Sequence, residues 1–249
     1  MKNTILIIIS LLFLTGCEKE VTSLQDRGGV KYEINSDVGF TGKYVEKYEN
    51  GQKKVEEHLK LGKRHGLYLE WYENGQKGTE GNYKNGEPGG LHIGWHSNGQ
   101  KRMEGNYKNG EPEGLYLEWY KNTQKRTEEN YKGGKPDGLQ SRWYKYGQKK
   151  SEGRYKNGKP DGLQSRWYEN YQKESEGRYK NGEKEGLWAS WYKNGHWKSE
   201  INWKNGKLDG LWTEMDEEGH FILSSFKEYK DGELVKPKEF TPYGELVKP

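Results

Sequence analysis

Six histidines and a column of glutamates are the residues of this chain best suited to move protons or hold a metal. Neither set forms a reactive constellation. His92 and His96 would share one face of a strand, but four residues of strand span roughly 13 Å, too far for a common metal ion. Both stand where equivalent segments carry Tyr68, Tyr72, Tyr116 and Tyr120, so they read as substitutes for ring residues. His58, His65, His196 and His220 are scattered. Glu56, Glu80, Glu104, Glu128, Glu152, Glu176 and Glu200 recur every 24 residues. Acid–base chemistry or calcium binding needs one distinguished site, whereas equivalent carboxylates near Lys84, Lys108 or Arg102 read as ion pairs. The glycines recur singly, without the G-x-G-x-x-G pattern that opens a helix around phosphate. The expectation is a protein with no catalytic residue, no metal and no cofactor.

Aromatic residues form the other candidate site. Trp71, Trp119, Trp143, Trp167 and Trp191 (with Trp95) make one column, and Tyr72, Tyr120, Tyr144, Tyr168 and Tyr192 make the next. Adjacent strand residues point to opposite faces, so tryptophans would line one face and tyrosines the other. Two readings follow. The rings form the core, or the more exposed column is a binding platform for a protein edge, a glycan or a lipid headgroup, with rings as hot spots.

What positions these columns is an internal repeat. Gly42, Gly66, Gly90, Gly114, Gly138, Gly162, Gly186 and Gly210 stand at a constant spacing of 24, giving eight units, the first and last degenerate. Asn-Gly recurs near the middle of units (Asn74-Gly75, Asn98-Gly99, Asn194-Gly195) and near their ends (Asn85-Gly86, Asn109-Gly110, Asn157-Gly158, Asn181-Gly182, Asn205-Gly206). Asn-Gly favours the type I′ turn of a two-residue hairpin loop, and the six to nine residues between turns have the length of a strand. With that loop, Tyr72 would face Lys77, Tyr68 would cover Gly81, and Tyr83 would meet Pro88. Composition agrees: aromatics are 14% and there are 35 Gly but only 7 Pro, which offsets a hydrophobic content of only 30%. The expected fold is all-β, an elongated single-layer antiparallel array of β-hairpins over residues 40–230. Thr123, Tyr146 and Tyr171 disturb the mid-unit Asn-Gly. A formal net charge of +4 from nearly balanced acids and bases disfavours nucleic acid as a partner.

The flanks read differently. Residues 1–16 have a short apolar run, Ile5 to Leu14, of signal-peptide length. Leu14-Thr15-Gly16-Cys17 resembles the bacterial lipobox, with the only cysteine of the chain as acyl acceptor. That implies membrane attachment through acylated Cys17. The protein would then sit in the cell envelope, at the outer membrane of a Gram-negative cell or the outer face of a Gram-positive plasma membrane. Residues 17–39 are expected to be a tether, and 231–249 a tail in which GELVKP occurs twice, at 232–237 and 244–249.

The pattern G-x-x-x-x-W-Y-x-N-G-x-K-x-x-E-G-x-Y-K-N-G-x-x resembles the MORN repeat in its bacterial variant form. Lipoproteins of this form resemble the YwqK-type antitoxin family. That resemblance implies a non-catalytic protein-binding role, with a toxin-like partner. The competing expectation is a repeat scaffold or adhesin that contacts glycans or lipids.

Overall fold

The computed structural model describes residues 18–237. Cys17, the leader before it and the second GELVKP copy lie outside the described residues. Strands of eight and nine residues alternate along the array, as in Lys63–Trp71, Lys77–Lys84 and Glu87–Trp95. Each pairs antiparallel with the strand before it and the strand after it. Among the described residues the result is one 18-stranded sheet, joined by hairpins from Gly42 to Glu214. The expected all-β hairpin array is what the chain forms.

The two turns of each unit differ in kind. At the unit end, Lys84 pairs with Glu87, and both Asn85 (φ 54°) and Gly86 (φ 92°) are left-handed. This is the anticipated type I′ geometry. In mid-unit the expectation of a two-residue loop fails. Tyr72 N–H donates to the Gln76 carbonyl and Gly75 N–H to the Tyr72 carbonyl, so the loop has three residues and only Gly75 is left-handed. The extra residue creates a bulge at Gly78 and shifts the register, so that Trp71, not Tyr72, faces Lys77. Asn-Gly serves both turn types, because a three-residue hairpin also needs a left-handed residue at its end.

The constant glycine that sets the period is required by backbone geometry. It has a positive φ, between 70° and 146°, in all eight units, and Gly66 and Gly90 lie within the break in the ladder between consecutive units. An L side chain there would be strained.

Side chains then stitch unit to unit at both ends of the strands. Tyr72 Oη donates to the Trp95 carbonyl at 2.8 Å, and Tyr120, Tyr144, Tyr168 and Tyr192 repeat the bond to the residue 23 positions ahead. Beside them Asn74 Nδ2 donates to the Ser97 carbonyl at 2.8 Å, while its Oδ1 accepts from Gln76 N–H. At the other end Gly110 N–H reaches the Pro88 carbonyl at 3.0 Å, and Asp137 accepts from Asn157 N–H at 3.0 Å.

Three neighbouring units break the mid-unit pattern. Thr123 (φ 68°) and Tyr171 (φ 69°) occupy the left-handed position held by glycine elsewhere. Tyr146, 68% exposed, stands where the stitching asparagine should be. Gln148, whose equivalents Gln52, Gln76, Gln124 and Gln172 lie against the turn glycines Gly75, Gly99, Gly147 and Gly195, has its Oε1 buried without a hydrogen-bond partner among the described residues. Tyr171→Gly is expected to raise stability by about 1 kcal/mol, the left-handed penalty less the extra chain entropy of glycine. Tyr146→Asn is expected to add about 0.5 to 1 kcal/mol by restoring bonds to Gln148 N–H and the Glu169 carbonyl. Denaturant midpoints of the two variants check both; a lower midpoint in either would contradict this account of the turn.

Residues 18–39 are ordered where a plain tether was expected. Glu20–Val21 runs parallel to Gly42–Lys47, and Gln25–Arg27 pairs with Val30–Tyr32. Lys31 N–H donates to the Gly62 carbonyl, and the Lys31 ammonium reaches the carboxylate of Glu57. This segment covers the first edge of the array, next to the buried Phe40, Val45 and Leu59. At the far end the last unit is two residues longer than the others: Gly210 pairs with Tyr229, whereas Gly186 pairs with Trp203. A short 3-10 turn at Leu223–Ser225 takes up the difference.

Candidate functional site

The pleat sends alternate columns to opposite faces of the sheet. One face carries Trp71, Leu69 and Leu67, opposed by Lys77, Glu80 and Asn82. Here the glutamate column finds its partners, though not the expected ones. Because of the bulge, Lys77 and Glu80 lie on one side and pair at 2.7 Å; Lys53–Glu56 (2.6 Å), Lys173–Glu176 (2.8 Å), Lys125–Glu128 and Lys149–Glu152 repeat the contact. Lys84, Lys108 and Arg102 are not the partners. Lys53, Lys77, Lys125 and Lys173 also lie near the indole of the following unit, Lys77 being 5.4 Å from the Trp95 ring centre and Lys125 5.4 Å from Trp143, whereas Lys149 lies 5.9 Å from Trp143 of its own unit. The tryptophans Trp71, Trp119, Trp143, Trp167 and Trp191 are all half-buried. On the same face, beyond the glutamates from the tryptophans, runs a stripe that sequence reading did not single out: Leu91, Leu115, Leu139, Leu163 and Leu187, each 37–47% exposed. Their spacing of 24 was the available signal.

The other face carries the tyrosines. Tyr72, Tyr120, Tyr144, Tyr168 and Tyr192 are half-buried, and their hydroxyls are used in the stitching bonds. His96 does the same work, Nε2 donating to the Trp119 carbonyl at 2.9 Å. His92 lies between Tyr83 and Tyr107, with ring centres 5.1 and 4.9 Å away, and its Nε2 meets the Asn82 carbonyl at 2.9 Å. Both histidines therefore stand in for ladder aromatics. The expectation that Tyr68 covers Gly81 needs correction. Tyr68 and Gly81 are paired in register, but the space above Gly81 is filled by His92 of the following strand. Tyr116 fills the space above Gly105 in the same way, and Trp188 that above Gly177.

Where this column has glutamate instead of glycine, the carboxylate is buried and paired. Glu57, fully buried, receives Lys31 and, at 2.7 Å, Arg64 Nε. Glu129, 6% exposed, receives Arg142 Nε and Nη2 at 3.0 and 2.8 Å and the Tyr131 hydroxyl at 2.6 Å. Among the described residues no three His, Cys, Asp or Glu side chains cluster as a metal site.

Burial, helped by nearby carboxylates, holds the phenols of this face in their neutral form. Tyr68 is pushed up to about 12 by burial and the adjacent Glu70. Tyr116 and Tyr131 are raised as well, by burial and by Glu118 and Glu129 respectively. A raised folded pKa contributes stability that is full below the unfolded tyrosine value, about 10, and is lost as pH rises through the folded value. The array is expected to hold to about pH 10 and then lose stability steeply. Phenolate absorbance should show a late-titrating class that appears together with loss of the sheet signal. Full tyrosine ionisation with the sheet intact would refute it.

Among known proteins, three segments of the chain match the family described as MORN repeat variant: residues 64–85, 88–109 and 184–205. No curated protein matches the chain.

Proposed function

We propose that this protein is a lipid-anchored envelope protein that acts by noncovalent binding, with a protein partner seated on the repeat array. The observation that carries the reading is the single uncovered layer. Half-buried tryptophans and the leucine stripe repeat along one face of the long sheet, and among the described residues the other sheet is only the two-stranded pair Gln25–Arg27 and Val30–Tyr32 at the first edge. A ring or leucine every second strand, roughly 10 Å apart, offers many similar contacts that act together through effective concentration. Leu14-Thr15-Gly16-Cys17 supports the anchor, and the likeness to YwqK-type antitoxins supports a toxin-like partner that the array neutralises.

The test compares full-length protein with a variant lacking residues 138–161, one whole unit. Circular dichroism should show both folded, because the period is preserved. The deletion should weaken binding of the captured partner, since the surface shortens and its far end shifts by about 10 Å. Unchanged affinity would place the site outside the array. Cys17→Ser should release the protein from membranes; a variant that still fractionates with them would defeat the anchoring half. Co-expression with the captured partner tests neutralisation, which requires that the partner arrest growth alone and not with this chain.

A further inference from the structure

The units beginning at Gly138 and Gly162 differ from the rest on the tyrosine face. The third column carries Tyr44, Tyr68, His92 and Tyr116 before them and Trp188 and Trp212 after them, but Gln140 and Gln164 within them. The fifth column reverses sign, from Glu46, Glu70 and Glu118 to Arg142 and Arg166. Loss of two rings opens a recess of about 420 Å³ with Tyr155, Tyr179 and Trp188 among its walls. Gln140 and Gln164 each spend an amide N–H on a backbone carbonyl, at 2.7 and 2.8 Å.

The charges in and around the recess do not cancel. Arg142 is held by Glu129, yet its side chain remains 62% exposed. Arg166 makes no ion pair among the described residues, and Lys184 borders the same space. Lys184 lies 4.5 and 4.4 Å from the ring centres of Trp188 and Trp203. Lys150 and Glu174 also face this side, from the column in which Lys54 pairs with Glu46. Four cations stand against three carboxylates, of which Glu129 is already paired with Arg142 and Glu152 with Lys149. The mid-unit turns of the same two units are the ones that carry Tyr146 and the left-handed Tyr171, against local stability.

We propose that this recess binds an acidic segment of the protein partner, with carboxylates seated on Arg166 and on the free edge of Arg142. Equivalent positions in successive units are two strand spacings apart, roughly 10 Å. Three residues of extended chain cover the same distance. A segment with acidic residues at i and i+3, crossing the strands, therefore matches both guanidiniums. The recess rests on the protein-binding reading and, lying on the face opposite the tryptophans and leucines, gives the partner a second contact on the array and the chemistry of its recognition.

The probe is a fluorescein-labelled octaglutamate peptide, titrated into the full-length chain at low salt by anisotropy. Octalysine and oligogalacturonate are the comparison arms. Octaglutamate should bind and octalysine should not. Arg166→Gln, which removes no partner from a buried carboxylate, should weaken binding at least tenfold. Lys77→Gln with Lys101→Gln, on the opposite face, should change it less than twofold. Equal loss in both variants, no binding of octaglutamate, or tighter binding of oligogalacturonate that depends on Arg166 would overturn the proposal. Those outcomes leave the protein-binding reading standing, because the unit deletion with the captured partner tests that separately.

Discussion

Arg64→Met is expected to destabilise the amino-terminal end of the array by about 3 kcal/mol, the scale for stranding a buried charge. Glu57 is fully buried, with Lys31 on one oxygen and Arg64 on the other at 2.7 Å. Methionine keeps the stem that packs near Tyr68 and Tyr83, whose ring centres lie 4.1 and 5.3 Å from the guanidinium carbon. The loss is then electrostatic: one oxygen of a desolvated carboxylate has no cation. Adding Glu57→Leu to Arg64→Met should recover most of the loss, because burying no charge costs less than burying one poorly paired. In a linear array the damage stays close to its source. Hydrogen exchange should quicken over residues 42–71 and little beyond Gly138. A double variant less stable than the single one would show that Glu57 is held by something other than this pairing.

Gly177→Ala is the second large effect, at about 2 to 3 kcal/mol. A methyl group at this position would collide with the indole of Trp188. The ring would have to leave, taking with it the bond from Nε1 to the Arg178 carbonyl (3.1 Å) and the edge contact to Tyr179 (5.0 Å, 85°). Gly89→Ala is the control. A side chain at Gly89 meets nothing within 4 Å, and its φ is not positive. It should be neutral or slightly stabilising through the unfolded chain. Equal losses at the two glycines would mean that ring coverage is not what the Gly177 position demands.

Much of this architecture could be read from residues alone, because a repeat shows each local preference many times. The period, the type I′ turn at Asn85-Gly86 and the pairing of Tyr83 with Pro88 follow from turn chemistry and strand alternation. The mid-unit turn did not, since Asn-Gly fits two loop lengths and one extra residue changes which side chains meet. That residue is why Lys77 finds Glu80 and why Tyr72 reaches the next unit. The ordered amino-terminal segment was hidden for another reason. Its anchoring contact joins Lys31 to Glu57 across 26 residues, with no local pattern to announce it. The recess lay between these cases. Gln140, Gln164, Arg142 and Arg166 were visible as departures from their columns, but only the register puts all four around one space.

The hairpin-only connectivity also bears on how quickly this protein reaches its fold. Sheets are usually slow to form, because strands distant in sequence must meet before any contact stabilises them. From Gly42 to Glu214 each array strand pairs with its immediate neighbours in the chain across turns of two or three residues, and only the link from Glu214 to Lys227 is longer. Loop closure is thus a small and repeated cost rather than one large barrier. Lengthening the array adds further steps of the same kind without raising the first. Nucleation at one hairpin, on a scale of roughly 1–10 μs, can be followed by addition of strands on either side. An all-β chain of this length would then fold more like a helical bundle than like a sandwich, strand after strand, as it emerges from synthesis.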